Sequence, residues 1–210
     1  NLVMRLALMA SGTGSNVEIL LSEKKAGGLP FVDWVLLGCD RPNAPVIQKA
    51  ESNWLKTWVH SPSEFADKIQ YEKSLHQVLS EEEVDGIVLA GYMRLIGPTL
   101  LEHWEGRIIN LHPSLLPSFP GQHSIRDALE HRVKLTGCTV HFVDEGVDTG
   151  PIIAQESVPV FSNDTPETLA KRIHQAEHSL LPKTVRRWSE GGFYLKDKIV
   201  HFVDEVGETL

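Results

Sequence analysis

The sequence predicts an α/β fold in which helices cover both faces of a mostly parallel β-sheet. Three observations lead to this fold class. Short apolar runs of strand length alternate with longer segments of helical period, glycine or proline residues separate many of them, and two β-rich runs between residues 138 and 159 follow each other directly. Strands that alternate with helices form right-handed βαβ units, whereas two consecutive strands form an antiparallel hairpin.

The first half of the chain alternates strands and helices. Apolar runs predict strands over residues 4–10, 32–38, 57–60 and 86–90. Segments whose apolar side chains recur every three or four positions predict helices over residues 16–26, 45–52, 63–82 and 98–103. Because a helix follows each strand, we expect a doubly wound, Rossmann-like sheet.

The second half is predicted to add a strand, a short helix, an antiparallel hairpin, a long helix and a β-like tail. Asp164-Thr165-Pro166-Glu167 opens the long helix with a capping side chain, a proline in the first turn and an early acid, and Gly191-Gly192 ends it. In chain order these elements are expected over residues 107–111, 124–130, 138–143 with 152–159, 165–188 and 193–202.

Length and composition indicate one folded domain. The chain has 210 residues, of which 41% are hydrophobic, and no repeat, low-complexity tract or linker divides it. We therefore expect a single domain over residues 1–210. Residues 1–3, ahead of Met4, are interpreted as a cloning remnant and set aside.

Charge and cysteine usage exclude several classes of protein. With 28 acidic and 20 basic residues the net charge is −8, so neither nucleic acid nor a membrane is an expected partner, because both require a basic face. Cys39 and Cys138 are too few for a disulfide framework and lack metal-ligand spacing, which favours a cytoplasmic location. No apolar run approaches the roughly 18 residues of a membrane helix. No zinc-type histidine pattern occurs either, so we predict no metal.

A glycine-rich turn follows the first predicted strand. Residues 11–16 read Ser-Gly-Thr-Gly-Ser-Asn and lead into a helix, where free N–H groups and the helix dipole favour an anion. Val17 stands where a dinucleotide fingerprint has its third glycine, and the lysine of a P-loop is missing. The pattern favours one phosphate of a monoester, and a tight turn that only caps the helix is the alternative.

Asn110 and His112 stand at the carboxyl end of a predicted strand, where open α/β sheets bind their ligands. Strand alternation puts both side chains on one face. A histidine exchanges protons near neutral pH and an asparagine amide donates to a developing oxyanion, a combination that suits acyl transfer. Purely structural roles for both are the alternative.

The loop between the hairpin strands is acidic and contains several glycines. Asp144, Glu145 and Asp148 lie within it, and the spacing of an EF-hand is missing. The loop is either a surface turn, or it carries a carboxylate beside His112, where the pair would order the imidazole and move a proton. The spacing leaves both interpretations open.

Arg94 is a single cation within an apolar segment that follows the strand predicted at residues 86–90. In one interpretation the segment is a packed junction from which Arg94 extends into solvent. In the other, Arg94 binds a ligand carboxylate while Met93, Leu95 and Ile96 line a flat aromatic pocket.

Taken together and in order, three blocks resemble the glycinamide ribonucleotide formyltransferases, folate-dependent enzymes of purine biosynthesis. They are Gly-Ser-Asn at residues 14–16, Asn-Leu-His-Pro-Ser-Leu-Leu-Pro at 110–117 and Val-Asp-Thr-Gly-Pro-Ile at 147–152. The resemblance runs from about residue 4 to residue 192. It implies transfer of the formyl group of 10-formyltetrahydrofolate to the amino group of glycinamide ribonucleotide, by a monomer or a homodimer without a metal.

The resemblance also implies site residues. Residues 4–100 would be the phosphate-binding half and residues 101–192 the catalytic and folate-binding half. The catalytic set would be Asn110, His112 and Asp148. The substrate site would consist of Gly14, Ser15, Asn16 and Glu177, and the folate site of Met93, Arg94, Leu95, Ile96, Val143, Asp144 and Asp148. Two positions depart from the family pattern: Ser63, where some members have an arginine near the folate tail, and His174, one turn before Glu177.

Other functions compete with this interpretation. Methionyl-tRNA formyltransferase and 10-formyltetrahydrofolate hydrolase share the catalytic block, but each carries a further domain that 210 residues do not accommodate. A noncatalytic nucleotide-binding module would explain only the phosphate loop. Asn110, His112 and Asp148 must face one cleft if the protein is an enzyme.

Overall fold

A seven-stranded sheet runs through the protein in a computed structural model that describes residues 2–204. Its strand order is β3-β2-β1-β4-β5-β6-β7, with parallel pairing from β3 through β5 and antiparallel pairing of β5 with β6 and β6 with β7. The predicted fold class is therefore confirmed. The strands are β1 Met4–Ala10, β2 Val32–Cys39, β3 Thr57–Val59, β4 Gly86–Leu89, β5 Ile108–His112, β6 Leu135–Phe142 and β7 Ile152–Pro159.

Helices cover both faces of this sheet. Leu20 of the first helix and Val185 of the last lie in one buried cluster, and Leu75 and Leu100 lie in a second cluster on the opposite face. Thr165 caps the last helix and Pro166 follows in its first turn, as the sequence predicts. The helices are α1 Ser15–Lys25, α2 Val46–Ser52, α3 Lys68–Glu81, α4 Pro98–Trp104, α5 Ser124–Glu130 and α6 Pro166–Ser189.

The C-terminal segment forms a hairpin of its own. Strands β8 Phe193–Lys196 and β9 Ile199–Phe202 pair antiparallel in a separate two-stranded sheet. Phe193 joins the buried cluster that contains Val185, which fastens the hairpin to the domain. Residues 1 and 205–210, which the single predicted domain includes, lie outside the described residues.

Two predicted boundaries are wrong by more than one residue. The helix predicted from residue 63 begins at Lys68, because Ser61 and Glu64 form a capping box around a separate 3-10 turn at Pro62–Glu64. The Asp67 carboxylate then accepts a hydrogen bond from the Gln70 N–H at 2.8 Å and starts α3. Strand β6 begins at Leu135 rather than at residue 138, since its pairing with β7 continues to Pro159.

The register of the parallel strands brings the candidate residues to one edge of the sheet. Met9 is paired with Leu89, and Leu89 with Asn110, so the ends of β1, β4 and β5 lie side by side. Two inter-strand spacings separate the end of β1 from Asn110, a distance of about 10 Å. The turn at residues 11–16 and the end of β5 therefore border the same region.

Candidate active site

Asn110 and His112 project from the same face of β5, as strand alternation predicts. Ile109, between Ile108 and Asn110, belongs to the buried cluster under α1 and α6, whereas Ile108 belongs to the cluster under α3 and α4. Asn110 and His112 share the face of Ile108. Antiparallel pairing sets His141 of β6 directly opposite Asn110.

His112 is buried, with 5% of its surface exposed, and both of its ring nitrogens have neighbours. Its Nε2 lies 2.9 Å from the Phe119 carbonyl oxygen, which can only accept, so Nε2 carries a proton and donates. Its Nδ1 lies 3.5 Å from Oδ2 of Asp148. The Nε2 proton is thus committed to the backbone, and Nδ1 is the nitrogen available for proton exchange.

Asp148 faces His112 because of the backbone around it. Its φ of +54° turns the loop, and the Gly121 N–H donates to Oδ2 at 2.8 Å. Gly150 allows the loop to return against β6, since a Cβ atom there would lie 1.6 Å from the Phe142 carbonyl oxygen. Of the two interpretations of this acidic loop, the structure has the carboxylate beside His112.

Asp144 holds the same loop together by hydrogen bonds to other residues of the loop. Its Oδ1 accepts hydrogen bonds from the Gly146 N–H at 3.0 Å and from the Thr149 hydroxyl at 2.6 Å. Val143, just before it, is half-buried, and its N–H donates to the Ile108 carbonyl at 2.9 Å. The loop therefore starts from a position fixed by the sheet.

His141 lies in one cluster with Asn110, His112 and Asp148, although no sequence motif indicates it. Its Nδ1 donates to the Phe142 carbonyl at 2.8 Å, and its Nε2 lies 3.4 Å from Nδ2 of Asn110 and 3.9 Å from Oδ1 of Asp148. Burial lowers the pKa of His141 below its usual 6.5, so its neutral Nε2 can accept from the Asn110 amide at pH 7. Alternation along β6, counted from the strand's pairing with β5, is the signal that would have found it.

The glycine-rich turn is closely packed against Val46 where it leads into α1. Gly14 has a φ of +74°, and a Cβ atom on it would lie 2.3 Å from Cγ2 of Val46. Ser15 is exposed in the first turn of α1. Oδ1 of Asn16 is buried and has no hydrogen-bond partner among residues 2–204. An unpaired acceptor therefore lies beside the predicted phosphate site.

The segment that follows β4, residues 91–97, adjoins this turn and is called the 91–97 loop below. The Ser11 N–H donates to the Gly91 carbonyl at 3.0 Å, and the Ser11 hydroxyl oxygen accepts from the Met93 N–H at 2.9 Å. Met93 and Leu95 expose 57% and 59% of their surface, which is a large apolar exposure on an anchored segment.

Contacts with the rest of the domain hold the second half of the 91–97 loop in place. Ile96 is buried in the cluster under α3 and α4. Nε of Arg94 donates to Oδ2 of Asp40 at 2.7 Å. The Glu72 carboxylate accepts from the Gly97 N–H at 2.7 Å and the Leu100 N–H at 3.1 Å, which fixes the end of the loop at the start of α4.

Glu177 lies apart from the Asn110, His112, His141 and Asp148 cluster. It is buried on α6, and its Oε1 lies 2.5 Å from Nδ1 of His174, a contact that raises the pKa of His174. Burial and this nearby carboxylate raise the pKa of Cys138 to about 12. Cys138 belongs to the cluster under α1 and α6, so Glu177 approaches the sheet on the face opposite to Asn110.

Within residues 2–204, no three or more His, Cys, Asp or Glu side chains are grouped to hold a metal ion. The same range contains no helix with the length and apolar character to cross a membrane.

Comparison with known proteins decides the family. Residues 4–185 match the family model for formyl transferase. This chain belongs to the formyl transferase family. The resemblance seen in its sequence motifs is thereby confirmed.

Relatives of this formyl transferase include bacterial and animal proteins. It is 44% identical over 183 residues to phosphoribosylglycinamide formyltransferase of Bacillus subtilis, covering 87% of this chain and 93% of that protein. It is 42% identical to the trifunctional purine biosynthetic protein adenosine-3 of Drosophila melanogaster over 86% of this chain, which spans 14% of that longer protein.

Solved structures share the fold of this formyl transferase. Glycinamide ribonucleotide transformylase 1 from Symbiobacterium toebii superimposes with a TM-score of 0.92 at 38% identity, covering 96% of this chain and 95% of that chain. Phosphoribosylglycinamide formyltransferase from Bacillus halodurans gives a TM-score of 0.85 at 48% identity, covering 88% of this chain and 94% of that chain. The agreement extends over nearly the whole described fold.

Proposed function

We propose that this formyl transferase moves the formyl group of 10-formyltetrahydrofolate to the amino group of glycinamide ribonucleotide. The products are N-formylglycinamide ribonucleotide and tetrahydrofolate, as a step of purine biosynthesis. The observation that carries the proposal is the polar cluster at the end of β5, where His112 and Asp148 lie 3.5 Å apart and His141 contacts both Asp148 and the amide of Asn110. Relatives at 44% and 48% identity are named for this activity.

In the proposed reaction the neutral amine attacks the formyl carbon. The Asn110 amide, held by His141, donates to the oxyanion that develops on the formyl oxygen, and a protonated His112 adds positive charge. A new bond joins the formyl carbon to the amine nitrogen as the bond to the folate nitrogen breaks. The proton leaving the amine passes, by way of Asp148 and Nδ1 of His112, to that folate nitrogen. No covalent enzyme intermediate is needed.

The substrate would extend from the turn at residues 11–16 to the end of β5. Its phosphate would lie on the backbone and side chains of Gly14, Ser15 and Asn16, at the N-terminus of α1. The separation of about 10 Å between the end of β1 and Asn110, two strand spacings, suits a ribose between the phosphate and the reacting amine. The resemblance would assign Glu177 to the glycinamide end, but because Glu177 approaches the sheet on the face opposite to Asn110, the proposed reaction gives it no contact with the attacking amine.

The donor would lie against the 91–97 loop. The exposed Met93 and Leu95, with the buried Ile96 behind them, offer an apolar surface to an aromatic ring, and Arg94 offers a cation to a carboxylate. Backbone groups from Val143 to Asp148 would border the ring on the other side.

Small molecules are the only partners this proposal requires, with no nucleic acid and no metal. It places the reaction in the cytoplasm, which is consistent with two buried cysteines that are not joined to each other. The protein would act as a monomer or a homodimer.

Formyl transfer measured with glycinamide ribonucleotide, and separately with water as acceptor, tests the proposal. We expect N-formylglycinamide ribonucleotide to form at a rate that depends on both substrates. Release of formate without formylated ribonucleotide would instead identify a hydrolase. The Asp148→Asn variant serves as the inactive control.

A further inference from the structure

Asp40 is a buried carboxylate at the end of β2 that the proposed reaction does not use. Its side chain is 0% exposed, and its Oδ2 accepts from Nε of Arg94 at 2.7 Å. Its Oδ1 is buried as well and has no hydrogen-bond partner among the described residues. A buried carboxylate is costly unless a charge partner compensates for lost hydration, so the contact with Arg94 must be firmly maintained.

The hydrogen bond between Asp40 and Arg94 leaves part of the guanidinium accessible. Only Nε is bonded to Asp40, and the Arg94 side chain remains 45% exposed. A guanidinium is a planar fork, and when Nε is occupied its two terminal nitrogens can still bind a carboxylate with parallel hydrogen bonds. Asp40 thus fixes the plane of the fork without using its outer edge.

A second anchor acts on the same loop two residues earlier. The Tyr92 hydroxyl lies 3.0 Å from the hydroxyl of Tyr71 on α3, and both tyrosines are buried. Residues 92 and 94 are therefore tied inward at alternate positions, which leaves Met93 and Leu95 exposed between them. The cation and the apolar surface are presented together from one rigid segment.

We propose that Asp40 is a positioning residue for the formyl donor, which orients Arg94 toward the glutamate carboxylates of 10-formyltetrahydrofolate. This inference rests on the proposed function and deepens it. Asp40 itself touches neither substrate. Its effect is confined to donors that carry the glutamate, because only these present a carboxylate to the outer edge of Arg94.

The test compares donors with and without the glutamate in the Asp40→Asn variant, which keeps the shape of the side chain and removes its charge. We expect the KM for 10-formyltetrahydrofolate to rise about tenfold, with kcat and the KM for glycinamide ribonucleotide within about twofold of wild type. With 10-formyltetrahydropteroyl amide, in which an uncharged amide replaces the glutamate, variant and wild type should have equal KM values. Equal losses with both donors would overturn the proposal.

A double-mutant cycle shows whether Asp40 acts through Arg94. In an Arg94→Gln background, Asp40→Asn should have no further effect on the KM for the glutamate-bearing donor, because the group it orients is gone. Additive effects would overturn the inference. Thermal unfolding of each variant identifies any that fail to fold, and Asp40→Glu then replaces Asp40→Asn, with partial retention of donor affinity expected.

Binding without turnover separates this inference from the proposed function. Calorimetric titration with 5-formyltetrahydrofolate, which does not donate its formyl group in this reaction, should show about tenfold weaker binding to Asp40→Asn than to wild type. The loss should disappear with 5-formyltetrahydropteroyl amide, which carries no carboxylate. If wild type binds the folate but formylates no ribonucleotide, the proposed function fails while the role of Asp40 stands. Equal binding of 5-formyltetrahydrofolate by both proteins removes that role alone.

Discussion

The polar cluster at the end of β5 and the 91–97 loop lie at the same edge of the sheet, yet they are held in place in different ways. Asn110, His112 and His141 lie on paired strands, so backbone hydrogen bonds of the sheet set their spacing. The 91–97 loop has no strand pairing, and distant side chains hold it, namely Ser11, Asp40, Tyr71 and Glu72. The groups proposed to meet the reacting atoms are positioned by the backbone, and the surface proposed to bind the formyl donor is positioned by side chains.

This contrast predicts that the cluster tolerates substitution least. His112→Asn or Asp148→Asn should lower kcat by about 10²–10⁴, because each removes a group that moves or steers a proton in the proposed reaction. Steady-state kinetics with saturating substrates measure the loss. Glu145→Gln is the matched control, since it changes an exposed acid in the same loop and should leave kcat near wild type. Near-normal turnover in a folded His112→Asn protein would exclude the proton role.

Asn110→Ala should have the next largest effect. It should lower kcat by about 10²–10³ through loss of the proposed oxyanion donor. The KM values should change little, because the oxyanion exists only in the transition state. Initial rates over a range of both substrates separate the two parameters. An effect on KM alone would mean that Asn110 binds substrate rather than stabilising the oxyanion.

His141 tests how far the sheet itself orients Asn110. His141→Ala should lower kcat by about tenfold to a hundredfold, because the amide loses the acceptor that holds it. His141→Gln, which offers an amide oxygen as acceptor, should recover part of this loss. Equal activity of both variants would show that β5 alone fixes the amide.

The pH dependence of kcat and of stability in the same variants gives a second test of the role of His141. Burial lowers the pKa of His141, so the unfolded chain binds its proton more readily than the folded protein does. The stabilising contribution of neutral His141 is therefore complete above pH 6.5 and is lost as the pH falls through the lower pKa of the folded state. Wild type should lose kcat and stability in that acid range more steeply than His141→Gln. Parallel profiles would contradict this assignment.

The smallest effect on catalysis is expected for anchors of the 91–97 loop that contact no substrate in the proposal. Glu72→Gln should lower the free energy of unfolding by about 1–3 kcal/mol, because a buried charged acceptor for two N–H groups is weakened. Urea denaturation measures it, and the exposed Glu81→Gln on the same helix is the control. The kcat should stay within about threefold of wild type, and a loss as large as that of Asn110→Ala would erase the distinction between the two regions.

The two regions also differ in how much of them the sequence predicts. Strand alternation is local, so it correctly sets Asn110 and His112 on one face. The direction of Asp148 depends on a positive φ and on the close approach of Gly150 to β6, neither of which follows from residue spacing. His141 lacks a motif and becomes visible only once the register of β6 against β5 is known.

The side chains that anchor the 91–97 loop do not follow from the sequence pattern either, for a different reason. Ser11 and Met93 are 82 positions apart, and Asp40 and Arg94 are 54 positions apart, so only the strand order brings them together. The late start of α3 has a local cause in the Ser61 capping box, which competes with the helical period of the residues after it. Apolar periodicity predicts the elements well and the polar contacts between them poorly.

The close approach of Gly150 to the Phe142 carbonyl has a practical consequence for redesign. Any side chain at position 150 would collide with backbone, so a saturation library should recover glycine there almost exclusively. Met93 and Leu95, in contrast, present their side chains to solvent from a loop whose anchors lie elsewhere. An engineer who wants this fold to accept a bulkier or more polar donor should vary those two positions and leave the acidic loop unchanged.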